Sequence, residues 1–280
     1  MSCIFKNLLI ATVLALIHSL SAFTTSYAHD SLQTSTNIND GRVQLTFGLF
    51  LPSINSSAQI SRKSGAIGTT INLESAFNLP RSETLFRFNG IYRFNNFHSV
   101  EGYFYDLNRS GQNTPQDSIV FGKLVIPLKA YFTSHFRATL FGGKYRYSIQ
   151  NSKSTEFSFS VGISFLYVDF GADVESSNQL EKEEKYNDLL FLPVFGFSNR
   201  VNISEDLIFR GNLDAFALDM KRYNGILVDF SFLLEYQFLK MFSLGLSYNA
   251  FVLDVKIDSK EKVEINYNLK GFMFFAKAYF

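Results

Sequence analysis

Cysteine is all but absent from this chain: the single one, Cys3, lies near the amino terminus. Past that terminus no internal disulfide can form, and no cysteine metal site can be built. Long apolar runs are missing as well. Beyond the first residues, nothing supplies the ~20 consecutive apolar side chains of a transmembrane helix. Charge imbalance is missing too. The formal net charge is +1, and about zero once a leading segment carrying Lys6 is removed, so nothing in the balance points to a nucleic-acid partner. Histidine is sparse, and His29, His98 and His135 are too scattered to nominate a metal site. No glycine-rich phosphate loop occurs, and no cofactor is called for. What is abundant is apolar and aromatic surface, 46% and 16% of the residues.

The amino terminus reads as an export signal. Lys6 precedes an apolar run over residues 8–20, followed by small and polar residues up to Ser26-Tyr27-Ala28. A charged n-region, an h-region and an A-x-A-like site predict a signal peptide over 1–28, cleaved after Ala28. The run is short for a single membrane anchor. Residues 29–40, rich in Ser, Thr, Asn and Asp, lack periodicity and read as a flexible periplasmic leader. Residues 41–280 then suit one domain.

From Arg42 onward the chain alternates with period 2, the signature of strands that send successive side chains to opposite faces. Val43, Leu45, Phe47, Leu49 and Leu51 share one face, with Gln44, Thr46 and Gly48 on the other. Phe86, Phe88, Tyr92 and Phe94 oppose Arg87, Asn89 and Arg93, and after the turn chemistry of Asn95-Asn96 a third strand places Val100, Gly102 and Phe104 opposite Glu101. Thr139, Phe141, Gly143, Tyr145 and Tyr147 oppose Leu140, Lys144 and Arg146, and a strand with Phe157, Phe159, Val161, Ile163, Phe165 and Tyr167 on one face follows. A less regular strand spans 189–201. Then Leu207, Phe209, Leu213 and Ala215 oppose Arg210, Asn212 and Asp214. The clearest strand sets Ile226, Val228, Phe230, Phe232, Leu234, Tyr236 and Phe238 against Asp229, Ser231, Glu235 and Gln237. The next sets Leu244, Leu246, Tyr248, Ala250 and Val252 against Ser243, Gly245, Ser247 and Asn249. The last, 263–280, is longer than a membrane crossing. Phe272, Phe274, Ala276, Ala278 and Phe280 make its apolar stripe, with Met273, Phe275, Lys277 and Tyr279 opposite.

Residues 52–83, 108–125 and 175–188 are polar or glycine-rich and read as outer loops, the first with room for a hairpin of its own. Pro127 argues against an uninterrupted central strand over 118–132. The turns at 95–96, 150–154, 202–205 and 239–241 are short. Transmembrane barrels pair short periplasmic turns with longer outer loops. Ten strands put every short turn on one side with both termini in the periplasm. Twelve, adding 69–79 and 118–124, put Asn95-Asn96 on the outer side. The expected fold is therefore all-β, an antiparallel transmembrane β-barrel of about ten strands, with twelve as the alternative.

Alternation also fits a soluble β-sandwich. Against it, the polar faces are mostly Ser, Gly, Asn and Thr with few ions, and the apolar faces are strongly aromatic, with Tyr near strand ends as in interfacial girdles. A closed barrel also gives every backbone amide and carbonyl a partner in hydrocarbon. The expected lipid-facing residues include Phe86, Phe88, Phe230, Phe232, Tyr236 and Phe280. The expected lumen charges are Arg87, Arg93, Glu101, Lys144, Arg146, Arg210, Asp214, Asp229, Glu235 and Lys277. Confined opposite charges should pair, because an unpaired buried ion is costly. They would form either a structural salt-bridge plug or a narrow charge-lined path for a small polar solute.

The aromatic strand ending at Phe280 resembles the closing strand of Gram-negative outer-membrane barrels, which implies a contact with the barrel assembly machinery. Gly68-Thr69-Thr70-Ile71-Asn72-Leu73-Glu74, Tyr92-Arg93-Phe94 with His98, Leu192-Pro193-Val194-Phe195-Gly196, Tyr223-Asn224-Gly225 and Gly245-Leu246-Ser247-Tyr248-Asn249 resemble a family of uncharacterised proteobacterial outer-membrane barrels. That resemblance implies fold, outer-membrane location and contact with membrane lipid, with no activity to carry over.

Chemistry is hard to find. His98 and Ser99 are neighbours in a strand and face opposite ways, so they cannot act as base and nucleophile. They also depart from the outer-membrane phospholipase motif, and the paired acids and His-Asp set of omptin-like proteases is not evident. The expected catalytic set is empty. Three roles follow in order: a surface or structural barrel whose outer loops meet an unknown extracellular partner, a small channel, and, last, a lipid-modifying enzyme.

Overall fold

The computed structural model describes residues 41–62, 70–121, 124–152, 154–174, 182–219, 223–258 and 261–280. The expected signal peptide (1–28) and leader (29–40) lie outside the described residues, as do 63–69 and 175–181 of the expected outer loops. The elements run β1 (Val43–Arg62), β2 (Ile71–Asn72), α1 (Leu73–Ala76), β3 (Leu85–Arg93), β4 (His98–Asn113), β5 (Ile119–Phe121), β6 (Leu124–Ile126), β7 (Phe132–Asn151), β8 (Thr155–Val174), β9 (Lys182–Asn202), β10 (Leu207–Asp219), β11 (Tyr223–Leu239), β12 (Phe242–Asp258) and β13 (Glu261–Tyr279).

Ten of these strands form a closed antiparallel barrel. Neighbours in the chain pair in order, and β13 returns to β1, from Gln44 opposite Tyr279 to Arg62 opposite Glu261. The ten-strand reading holds and the twelve-strand one does not. β2 merely flanks β1, and β5 and β6 pair as a separate hairpin.

Turn chemistry gathers at one end. The Asn95 side-chain oxygen accepts from the amides of Phe97 (2.9 Å) and His98 (3.0 Å). The hydroxyls of Ser152 and Ser204 accept from the amides of Thr155 (3.0 Å) and Leu207 (3.1 Å). Asn and Ser tighten turns in this way because their short side chains supply an acceptor where the ladder ends. The Val43 amide donates to the Phe280 carbonyl (2.9 Å) at the same end. By the loop-length rule this is the periplasmic end.

At the other end the strands run further than the sequence reading allows. Residues 52–62 belong to β1, 108–113 to β4 and 182–188 to β9, not to loops. The reason lies in which face is wet. On β13, outward positions change from Phe274 and Phe272 to Lys270, Asn268, Asn266 and Glu264, while inward positions change from Lys277 to Leu269, Tyr267, Ile265 and Val263. On β8, outward Ile163, Phe165 and Tyr167 give way to Asp169 and Asp173, and inward Ser158 and Ser164 give way to Leu166, Val168, Phe170 and Ala172. β1, β4, β7 and β12 reverse in the same way. Such stretches look like loops because their outward half is polar. They are strands because their inward half buries apolar surface, at roughly 1.5–3 kcal/mol per large side chain.

The barrel thus has two storeys. The periplasmic storey is apolar outside: Phe86 is 58% exposed, Phe195 63% and Tyr236 55%. Its outward runs of about ten residues match a tilted membrane crossing. The outer storey is polar outside and packed with apolar side chains within.

Candidate functional site

The periplasmic storey encloses the charges. Arg93 on β3 reaches past β4 and β7 to Glu156 on β8 with two hydrogen bonds, Nη1 to Oε1 at 3.0 Å and Nη2 to Oε2 at 2.8 Å. Ser148 donates to the same carboxylate at 2.7 Å, and Arg200 Nε stands 3.7 Å from it. Glu235 on β11 is fully buried and accepts from Arg210 Nε (3.2 Å), Ser243 Oγ (2.7 Å) and the Tyr279 hydroxyl. Lys277 lies 3.8 Å from Glu235 and over the Tyr279 ring at 4.8 Å.

A second layer sits further in. Lys144 on β7 donates to Asp214 on β10 at 2.6 Å and lies 3.6 Å from Glu101, which Arg146 and Asn89 also engage. Arg87 on β3 bonds Asp229 on β11 and Asn249 on β12, each at 3.2 Å, with its guanidinium over the rings of Phe50 (5.3 Å) and Tyr105 (5.1 Å). The Lys144–Asp214, Arg87–Asp229 and Arg87–Asn249 contacts join strands that are not neighbours, so they cross the lumen, whereas Glu101 is engaged from the adjacent strands. Among them lies a cavity of about 170 Å³ that reaches up to Leu140, Leu227 and Phe251.

Above those residues the interior is a hydrophobic core. Phe132, Leu107, Leu166, Leu253 and Phe136 are 0–3% exposed. Into this core folds the segment after β1. Ile71, Leu73, Phe77 and Leu79 are 5%, 1%, 0% and 2% exposed, and the Phe77 ring meets Phe132 (5.5 Å) and Phe170 (5.1 Å) edge-on. One ion pair lies within this core. Arg109 on β4 donates to Glu74 Oε1 (2.7 Å), to the Pro80 carbonyl (3.1 Å) and to Ser56 Oγ (2.8 Å). Ser56 in turn donates to Glu74 through its amide (2.9 Å) and hydroxyl (2.6 Å). Arg109 also stacks over Phe136 at 4.9 Å. Nearby, burial pushes the Tyr267 phenol pKa up, so the group stays a proton donor.

All ten of the charged residues singled out from sequence lie in these inner networks. Glu156, Arg200, Glu74 and Arg109 were missed. Glu156 and Arg200 share the inward parity of Ser158 and Ser198, a signal within reach of the pattern. Glu74 and Arg109 fall in stretches whose composition reads as loop. Of the outward set, Phe86, Phe88, Phe232, Tyr236 and Phe280 are exposed on the outer wall, and Phe230 packs edge-on against Phe232 at 4.3 Å. His98 is outside, against Tyr145 and Tyr147, while Ser99 is buried within. His135 stands on the outer wall, 3.8 Å from Asp169. Among the described residues, no three His, Cys, Asp or Glu side chains cluster as a metal site needs.

No protein-family model matches the chain, and no curated protein is similar to it in sequence. Solved structures are similar in fold. The outer membrane protease OmpT of Escherichia coli shares 11% identity at a TM-score of 0.56, over 89% of this chain and 100% of that one. The chain has the outer-membrane β-barrel fold. The translocator domain of the autotransporter NalP from Neisseria meningitidis (9% identity, TM-score 0.46, 96% and 97% covered) and the attachment invasion locus protein Ail of Yersinia pestis (12%, 0.32, 83% and 99%) are more distant. Each of the ten barrel strands pairs on both sides over at least part of its length, and the aromatic periplasmic storey has no stable home in water. The barrel belongs in an outer membrane, with lipid against that storey.

Proposed function

We propose that this outer-membrane barrel acts through its extracellular storey and outer connections, as a structural or surface-interaction protein, and not as an enzyme. One observation carries the reading: a packed apolar layer separates the charge-lined cavity from the outside. Ions and polar solutes cross such a layer only by losing their hydration. The lumen charges then serve as a plug of paired ions that ties opposite walls together. Phe280 and the outward stripe of β13 are the surface offered to the assembly machinery.

The test is conductance. Purified protein in planar bilayers should give no steady current, and Arg93→Ala or Glu235→Ala should not create one. A steady ohmic current in the wild type, abolished by either substitution, would establish instead a channel for a small polar solute. The cavity of about 170 Å³ favours that second reading. Lipid hydrolysis lost on His98→Ala would overturn both.

A further inference from the structure

The sheet is interrupted beside β1, as it also is between β9 and β10, whose ladder ends at Ala215 opposite Phe195. β3 begins only at Leu85, opposite Phe50 of β1, whereas its neighbours continue to Arg62 and Asn113. Residues 70–84 cover the gap with few backbone bonds. Ser57 pairs with Asn72 and Ala58 with Ile71, and the Ile54 amide donates to the Arg81 carbonyl at 2.7 Å. The Asn113 side chain donates to the Ala76 carbonyl at 2.8 Å, and the Asn78 side chain to that of Gln112 at 3.0 Å. Gly111 makes the fit possible, because a Cβ there would stand 2.4 Å from the Phe77 carbonyl oxygen.

What this segment inserts has a definite chemistry. Leu73, Phe77 and Leu79 form an apolar body inside the barrel, and the Glu74 carboxylate lies on Arg109 and Ser56. We infer that the pocket beneath residues 71–79 is a binding site for a lipophilic carboxylate, a molecule with an acyl-like body and a free carboxyl group, whose place the segment takes in this structure.

Arg109 dictates the head group. Its side chain is fully buried against Phe136, so a ligand that displaces Glu74 has to restore an anion there. A carboxylate matches the guanidinium fork, whereas an alcohol or an ammonium group leaves the cation unpaired. The Tyr267 hydroxyl supplies a donor that Glu74 does not use. It is buried, has no hydrogen-bond partner among the described residues, and its ring packs on the same Phe136 at 5.7 Å. An apolar cavity of about 20 Å³ between Leu73, Phe136, Val168 and Ile265 leaves slack beside the segment. The site goes beyond the surface role proposed above and does not depend on it.

The test uses dodecanoate labelled with ¹³C at its carboxyl carbon and full-length protein in micelles, carrying Cys3→Ser, Ser57→Cys and Asn72→Cys. In the reduced protein a saturable carboxyl resonance, distinct from the micellar one, should appear at one per chain. Dodecanol should not compete for it. Oxidation locks residue 72 to residue 57, and the apparent affinity should then fall at least tenfold and return on reduction. Arg109→Gln should remove the resonance. The locked form keeps the test decisive if that variant does not fold. Absence of the second resonance in the reduced protein, equal binding in the locked form, or competition by dodecanol each overturns the proposal.

Discussion

Arg93 and Glu156 face each other across the lumen in a paired, fork-to-fork geometry at 3.0 and 2.8 Å, with both side chains nearly sealed from solvent at 9% and 4% exposure. They join β3 to β8 past the two strands between them. A link of this kind holds the barrel's cross-section, which neighbouring ladders alone do not fix.

Removing one partner should therefore cost more than removing both. Arg93→Ala leaves the Glu156 carboxylate buried with Ser148, Ser158 and the more distant Arg200, and should lower stability by about 3 kcal/mol. Arg93→Met combined with Glu156→Leu should recover part of that loss, because the buried Glu156 charge is gone while Arg200, 3.7 Å away, loses that anion. Urea-titrated folding into lipid vesicles measures both values.

The two storeys make a second prediction, on one face of one strand. Phe274→Arg places a cation on the lipid-facing wall and should destabilise the barrel by about 2–4 kcal/mol. Asn266→Arg, on the same face of β13 but above the membrane and opposite Asp254, should change stability by less than ~0.5 kcal/mol. The same vesicle-folding titration separates them. Equal costs at the two sites would erase the boundary between the storeys.

Gly111 offers a third. Gly111→Ala drives a methyl group into the Phe77 and Asn78 carbonyls, so the segment over 70–84 should be forced off the wall at a cost of about 1–3 kcal/mol. Hydrogen exchange should rise in 71–81 while β11 and β12 stay protected. Phe77→Ala, which empties the space against Phe132 and Phe170, should cost about 3–5 kcal/mol.

Phe280 supports a fourth. Its ring is 56% exposed and touches little, while its backbone closes the β1–β13 seam. Phe280→Gln should leave the stability of the folded barrel within ~0.5 kcal/mol of the parent. Assembly into the outer membrane of cells should slow, as pulse-labelled appearance of the folded form would record.

Period-2 alternation in the sequence marked most strands of the membrane-facing storey with their inward and outward faces, and the turn lengths favoured ten strands over twelve. Phe86 and Phe88 against Arg87 and Asn89 needed no partner to declare their sides, because a strand in lipid has one apolar face and one polar face. Only the tertiary structure decided what becomes of the outer stretches. There the inward face is apolar and the outward face is Ser, Asn, Asp and Lys, a composition shared by loops and by the wet wall of a strand. Ser53, Asn55 and Ser57 look like loop residues until Phe50, Ile54 and Ser56 are seen closing the interior beside them. The partners of Glu74 and Arg109 were likewise beyond reach, since one lies in a short turn of helix and the other on a strand 35 residues away, and only closure of the barrel brings them together. Local pattern records which side of a strand meets water or lipid. It does not record which distant side chains share the space within.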